Sequence, residues 1–461
     1  MPPLSKREAT TILSALAAGV VPRAGLRHIA VGRLKEVSAL KQDLDQVASG
    51  GATVRFVVGR YGSGKSFLLQ LVRSYALESK FVVADMDFSP DRRLYGSSDE
   101  GLATYRELIR NISTMTRPDG NALPAIIEKW ISTLQSRITA EKGLAPDSPE
   151  FINAVKAAIH ITLDEMEGLV HGYDFGLVIG AYYQGYIQND DTMKSNAIRW
   201  LRGEFNNRTE AYQALKVRSI IDSDNYYDYL KILARFVREV GYAGLMVCFD
   251  EGAYLYKISN SISRKNNYEQ ILTILNDCLQ GKASYISIIF SGTPEFIEDQ
   301  RRGLYSYEAL RSRLSSNRFA SAELQDFSGP VLRLPSLTLE EIFVLLQKVR
   351  DIYNGTGLVK VQVTDPSLTA FMEDALNRVG AREFSTPREL IRDFVSAINI
   401  LVQHPERTWD EIVGGISPST PTADPVESAM IDEATIPAAK AGSDSAGDDP
   451  LDRFSDFKVN G

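Results

Sequence analysis

Cysteine and histidine are scarce in this sequence. Two cysteines, Cys248 and Cys278, and four histidines, His28, His160, His171 and His404, occur in 461 residues. Two cysteines make no disulfide framework, and the scattered histidines lack metal-ligand spacing. Cys248 sits in an apolar run and reads as a small core residue. No apolar run approaches the length of a membrane span. The short apolar stretch 13–21 looks superficially like a signal peptide, but Glu8 and the missing cleavage pattern argue against one. A cytoplasmic protein without membrane association is expected. Excess positive charge is also absent, since 59 acidic residues face 51 basic ones for a net charge of −8. That excludes a nucleic-acid footprint over the whole surface and leaves room for a local basic site. Internal repeats are absent too, and the length suits two or three domains.

What is present starts with Gly59-Arg60-Tyr61-Gly62-Ser63-Gly64-Lys65-Ser66, which fits G-x-x-x-x-G-K-[ST] at every fixed position. Thr53–Val58 before it reads as a buried strand, and Phe67–Arg73 after it has helical spacing. Glycines let the backbone turn so that its N–H groups converge on phosphates. The helix N-terminus adds to that field. Lys65 supplies an ammonium for the β- and γ-phosphate oxygens, and Ser66 a hydroxyl for Mg²⁺. The expected ligands are therefore ATP and Mg²⁺, held by Gly59 to Phe67.

A second signal lies in Leu245-Met246-Val247-Cys248-Phe249-Asp250-Glu251. An apolar strand ending in two acids is what a Walker B element needs. The run buries the strand in a parallel sheet, Asp250 holds Mg²⁺, and Glu251 polarises the attacking water. Phe81–Asp87 and Tyr285–Ser291 read as further strands, and Leu332–Pro335 closes the core. Asp85, Asp87 and Arg92 either line the site or are solvated loop residues. Arg301, Arg302, Arg311, Arg313 and Arg318 place five arginines within eighteen residues. They are a salt-bridged charged face or a source of transition-state charge stabilisation.

Between these signals the chain reads as helical over about 101–240, with segments at 101–115, 123–140, 149–169 and 191–202. The stretch 175–187 reads as tightly packed or interfacial. A helix over 226–240 is capped by Asp222, Ser223 or Asp224. Three helices follow the core, at 340–353, 367–379 and 387–404, with Thr338 and Pro387 suited to their starts. From about Gly414 the chain is rich in Pro, Ser, Ala and Asp and reads as disordered, with Leu451–Phe457 either a docking peptide or a frayed end.

Several stretches together resemble one family. Ile29–Glu36, with Gly32 and Arg33, resembles the base-side element of AAA+ ATPases. The end of the 285–291 strand resembles their sensor 1, with Ser291 and Thr293 as candidates. Ser385–Leu390 resembles their sensor 2 element, with Arg388 as the sensor. Asn196-Ala197-Ile198-Arg199-Trp200-Leu201-Arg202-Gly203-Glu204, 241–251, 290–296, Arg302-Gly303-Leu304 and Tyr307-Glu308-Ala309-Leu310 are similar to the ATP-binding proteins of bacteriophage-exclusion (BREX) systems, of the BrxC/BrxD type. The similarity covers roughly residues 10–405.

The resemblance implies an α/β fold: a P-loop NTPase core of AAA+ type, with a large helical insertion and a C-terminal helical lid. The parts are 1–50 (N-terminal helical segment and base-binding element), 51–335 (core, with the insertion at about 101–240), 336–413 (lid) and 414–461 (tail). It implies an ATPase of an antiviral system, acting as motor or switch on DNA or partner proteins. The alternative is a nucleotide-gated scaffold for a helicase or methyltransferase with little turnover. A homo-oligomer is expected, in which Arg311 or Arg313 reaches a neighbour's γ-phosphate.

Overall fold

The computed structural model describes residues 4–146, 148–164, 171–319, 326–355, 362–377 and 386–414. All of the expected tail except Gly414 lies outside them, as does Ser385. Five strands form one sheet: β1 (Ala52–Val58), β2 (Val82–Asp87), β3 (Leu245–Asp250), β4 (Ile286–Gly292) and β5 (Val331–Arg333). Their order is β2-β3-β4-β1-β5, and every pairing is parallel. The fold is α/β, as the sequence led one to expect. Every residue of β1 and β4 is buried, which explains why both read as continuous apolar runs.

Four stacked rings fix the register. Phe56 of β1 lies 5.2 Å from Phe290 of β4, Phe290 lies 4.9 Å from Phe249 of β3, and Phe249 lies 5.4 Å from Phe88 beyond β2. Each such pair contributes about 0.5–1.5 kcal/mol. A one-residue slip would turn every ring to the other face of the sheet. The next residues on β4 and β3 are Ser291 and Asp250, so the ladder sets the polar tips of those strands side by side.

One face of the sheet packs against the helices between β2 and β3. These run Glu100–Arg110, Leu123–Lys142, Pro149–Asp164, Gly172–Gln188, Asp191–Leu201, Arg208–Leu215 and Tyr226–Glu239. Their apolar faces, with Trp130, Phe175, Trp200 and Phe236, join the sheet in one core. The stretch expected to be tightly packed or interfacial is a tightly packed helix, with Phe175, Val178, Ile179 and Tyr183 inside. The first of the seven ends at Arg110, five residues before the expected end. Ser113 then exchanges two backbone hydrogen bonds with Val83 on the edge strand β2. Asn225, not Asp222, Ser223 or Asp224, holds the N-cap position of Tyr226–Glu239, and its side chain makes no cap hydrogen bond. Asp222 instead accepts from the N–H groups of Asp224 and Asn225, closing the turn ahead of the helix.

The other face of the sheet is covered by the helices Leu34–Ala48 and Lys65–Glu78. Beyond β5 come Leu339–Gly355, Asp365–Asn377, Pro387–Gln403 and Trp409–Gly414. Thr338 and Thr386 each form a capping box, with Glu341 and Glu389. These C-terminal helices share their core with the first helix of the chain, Lys6–Ala17, through Ala9, Ile12 and Leu16.

Candidate active site at the carboxyl edge of the sheet

All five strands point the same way, so their carboxyl ends share one edge, where open α/β sheets bind ligands. The loop 59–64 leaves β1 there and turns into the helix Lys65–Glu78. Gly62 and Gly64 take left-handed φ values of +71° and +89°. A Cβ on Gly62 would sit 2.5 Å from Thr386 Cβ, whereas at Gly64 nothing lies within 4 Å. No side chain caps the helix that starts at Lys65. Its N-terminal N–H groups thus have no side-chain cap. Ser63 Oγ is buried without a hydrogen-bond partner. Lys65 Nζ donates to the carbonyls of Gly59 and Arg60 at 3.0 and 3.1 Å. Burial lowers the Lys65 pKa, opposed by the charges of Asp250 and Glu251.

Asp250 is the hub. Its Oδ2 accepts from Ser66 Oγ at 2.7 Å, and its Oδ1 accepts from Ser291 Oγ at 2.5 Å and from the Glu251 N–H at 2.8 Å. Ser291 is fully buried, so its hydroxyl serves Asp250, while the partly exposed Thr293 stands at the rim. Glu251 has φ +58°, a left-handed conformation that costs an L-residue about 1–2 kcal/mol. Such strain in a non-glycine residue concentrates at functional sites. Burial raises the Glu251 pKa, and the neighbouring Asp250 raises it further. The Asp87 pKa rises for the same two reasons.

The other candidates divide. Asp85 does not line the site, because Arg73 holds it at 3.1 Å while also donating to Ser113 and Pro118. Arg92 lies 3.7 Å from Glu107. Gly32, at φ +65°, has the Glu341 carboxylate where a Cβ would be. Arg33 donates to the carbonyls of Ser63 and Pro335 and lies 3.5 Å from Glu36. It thus fastens the Gly59–Ser66 loop to the end of β5. Phe67 packs into the core of the C-terminal helices. Arg388 donates to Tyr61 OH at 2.5 Å, and its guanidinium carbon lies 5.0 Å from that ring's centre. Arg60 is exposed. Arg311 and Arg313 are exposed on the helix Glu308–Leu314, and neither forms an ion pair among the described residues.

Four features had no signal in the sequence: the left-handed Glu251, the Tyr61–Arg388 contact, the Thr386–Gly62 approach and the Arg33 bridge. The last three join positions far apart in the chain.

Among the described residues no group of three or more His, Cys, Asp or Glu could hold a metal ion alone. No helix among them is long and apolar enough to cross a membrane. No curated protein matches the chain. A family model described as BREX system ATP-binding protein BrxC/D matches residues 4–416. With the match running from before the first described helix to past the last described one, the chain belongs to the BREX system ATP-binding protein BrxC/D family.

Proposed function

We propose that this family member is a P-loop ATPase of AAA+ type that binds Mg-ATP at the carboxyl edge of its sheet, hydrolyses it, and acts as a nucleotide switch or motor on DNA or partner proteins of the defence system. The observation that carries the reading is the hydrogen bond from Ser66 to Asp250 at 2.7 Å, which joins the G-x-x-x-x-G-K-S loop to the acidic strand end. The uncapped helix start, the open side of Gly64 and the unpartnered Ser63 hydroxyl fit a polyphosphate.

Residues 51–335 form the ATPase core, with the insertion at about 101–240, and 336–413 the lid. In this reading Gly59 to Phe67 hold the phosphates, with Lys65 turning from its loop carbonyls toward the β- and γ-oxygens. Ser66 and Asp250 hold Mg²⁺, which commonly takes one or two protein ligands beside phosphate. When bound, Mg-ATP supplies an electrophilic phosphoryl group and a divalent charge beside it. Glu251 accepts a proton from the attacking water, and burial and the Asp250 charge, which raise its pKa, make it a stronger base than an ordinary glutamate. Ser291 holds Asp250 in place. Gly32 and Arg33 border the base, and Arg388 reads the γ-phosphate from the lid. Arg311 or Arg313 reaches a neighbouring subunit's site in a homo-oligomer.

A second reading, a nucleotide-gated scaffold for a helicase or methyltransferase, draws on the tie between Arg388 and Tyr61. That contact couples the loop to the C-terminal helices whether or not turnover follows. ATP turnover with and without DNA, with Glu251→Gln as the blank, separates the two. Turnover above the blank supports the ATPase. Tight ATP binding with no turnover in any condition supports the scaffold.

A further inference from the structure

Two segments flank the strand end that carries Glu251. Residues 253–269 carry Lys257, Arg264 and Lys265 against Glu269, which lies 3.9 Å from Lys265, and residues 299–319 carry five arginines against Asp299 and Glu308. In a chain of net charge −8 this is a concentrated cationic surface. The segments are knit together. Tyr268 OH donates to the Arg302 carbonyl at 2.5 Å, Arg302 donates to the Lys257 carbonyl at 3.3 Å, and Lys265 Nζ lies 5.8 Å from the Tyr307 ring centre. The partly exposed Asp299 is occupied locally, accepting from the N–H groups of Arg301 and Arg302 and from Tyr256 OH. Arg301 and Arg318 are exposed, and neither forms an ion pair among the described residues, while Arg311 and Arg313, assigned to a neighbouring subunit's site, are not counted in this surface.

Aromatic rings alternate with these cations. Tyr254, Tyr256, Tyr305 and Tyr307 are half-buried, and Phe319 is 90% exposed. Cations that track phosphates together with rings that stack on bases are the means of holding unpaired strands, whereas a duplex hides its base faces. We propose that this surface binds single-stranded nucleic acid beside Glu251. The backbone joins the two directly. Gly252 donates its N–H to the Ser291 carbonyl at 2.8 Å, and a Cβ there would lie 2.7 Å from that oxygen. The helix Ala253–Tyr256 starts at the next residue. A strand seated on that helix therefore bears on the Glu251 backbone with no slack between. The effect on turnover rests on the ATPase reading; the binding does not.

The test is fluorescence anisotropy of a labelled 20-nucleotide oligothymidine and of a duplex of equal length, titrated without nucleotide over a series of salt concentrations. The expected result is tighter binding of the single strand. The combined variant Lys257→Ala, Lys265→Ala, Arg301→Ala should make the salt slope shallower by about three and weaken binding at low salt roughly tenfold. Tyr254→Leu should weaken the single strand about fivefold or more and leave the duplex unchanged. ATP affinity, measured separately, should equal wild type in both variants, which shows that they fold. Equal binding of the two probes, or a triple variant with wild-type affinity, would overturn the proposal. So would a triple variant that alters sedimentation alone, since the surface would then face another copy of the chain. Failure of wild type to bind ATP would sink the ATPase reading and leave the oligonucleotide result standing.

Discussion

Arg388 lies over the ring of Tyr61 and donates to its hydroxyl at 2.5 Å, tying the helix Pro387–Gln403 to the exposed tip of the Gly59–Ser66 loop. An arginine so held is withdrawn from other anions. A cation–π contact at an exposed site is worth roughly 0.5–1 kcal/mol. Tyr61→Ala should therefore tighten ATP relative to ADP by about two- to fivefold, the same energy written as an affinity ratio. Arg388→Ala should erase the preference. Titration of both nucleotides by calorimetry reads this out, and an equal effect on ATP and ADP would refute the assigned role of Arg388.

Glu251 joins a strained backbone to a proposed base. Glu251→Gln should bind ATP and turn over at least roughly tenfold more slowly. Glu251→Gly removes the left-handed penalty of about 1–2 kcal/mol, partly offset by glycine's flexibility. Its melting temperature should match or exceed wild type, while Glu251→Val should melt lower. A thermal melt in which glycine is the least stable of the three contradicts this.

The raised Glu251 pKa also fixes the sign of a pH effect. Turnover needs the carboxylate, so its acid limb should fall at a pH above the ordinary glutamate range. Stability runs the other way, because the folded protein binds this proton more tightly than the unfolded chain. The burden of holding Glu251 charged is full above the raised pKa. It fades as the pH falls through that value toward the ordinary one. A rate profile for kcat with its acid limb at the ordinary carboxylate value would exclude Glu251 as the base.

Ser291 is buried against Asp250. Ser291→Ala leaves Asp250 Oδ1 with the Glu251 N–H as its remaining partner. A lost buried partner costs about 1–3 kcal/mol. The variant should lower stability by that order and raise the Mg²⁺ concentration needed for half-maximal turnover, whereas Thr293→Ala should leave the Mg²⁺ requirement unchanged. Denaturant melts and Mg²⁺ titrations test the two effects separately, and equal Mg²⁺ curves for both variants would show that Ser291 does not position Asp250.

Much of the sheet was legible because parallel strands buried on both faces must be apolar along their length. Thr53–Val58, Phe81–Asp87 and Tyr285–Ser291 could be read directly. The helix starts after Thr338 and at Pro387 were legible because a cap residue and a first-turn proline are local signals. What escaped is non-local or conformational. Nothing in the residues around Asp85 announces Arg73, twelve positions earlier, as its partner. Asp222 looked like a helix cap and caps a turn instead, since Asx turns and helix caps draw on the same side chains. The backbone reversal at Glu251 is invisible because glutamate carries no left-handed preference for a pattern to detect.

The first helix completes the core of the last ones. Ile12 and Leu16 of Lys6–Ala17 are buried with Leu346, Phe394 and Ile398. On the ribosome that helix is made well before its partners. At roughly 5–20 residues per second, it spends tens of seconds with its apolar face uncovered. The sheet and the helices between β2 and β3 can condense in that interval, but the C-terminal layer cannot, because part of its interior comes from residues more than three hundred positions earlier. The order of synthesis therefore makes closure of that layer later than condensation of the sheet, and the proposed nucleotide site it borders is completed only then.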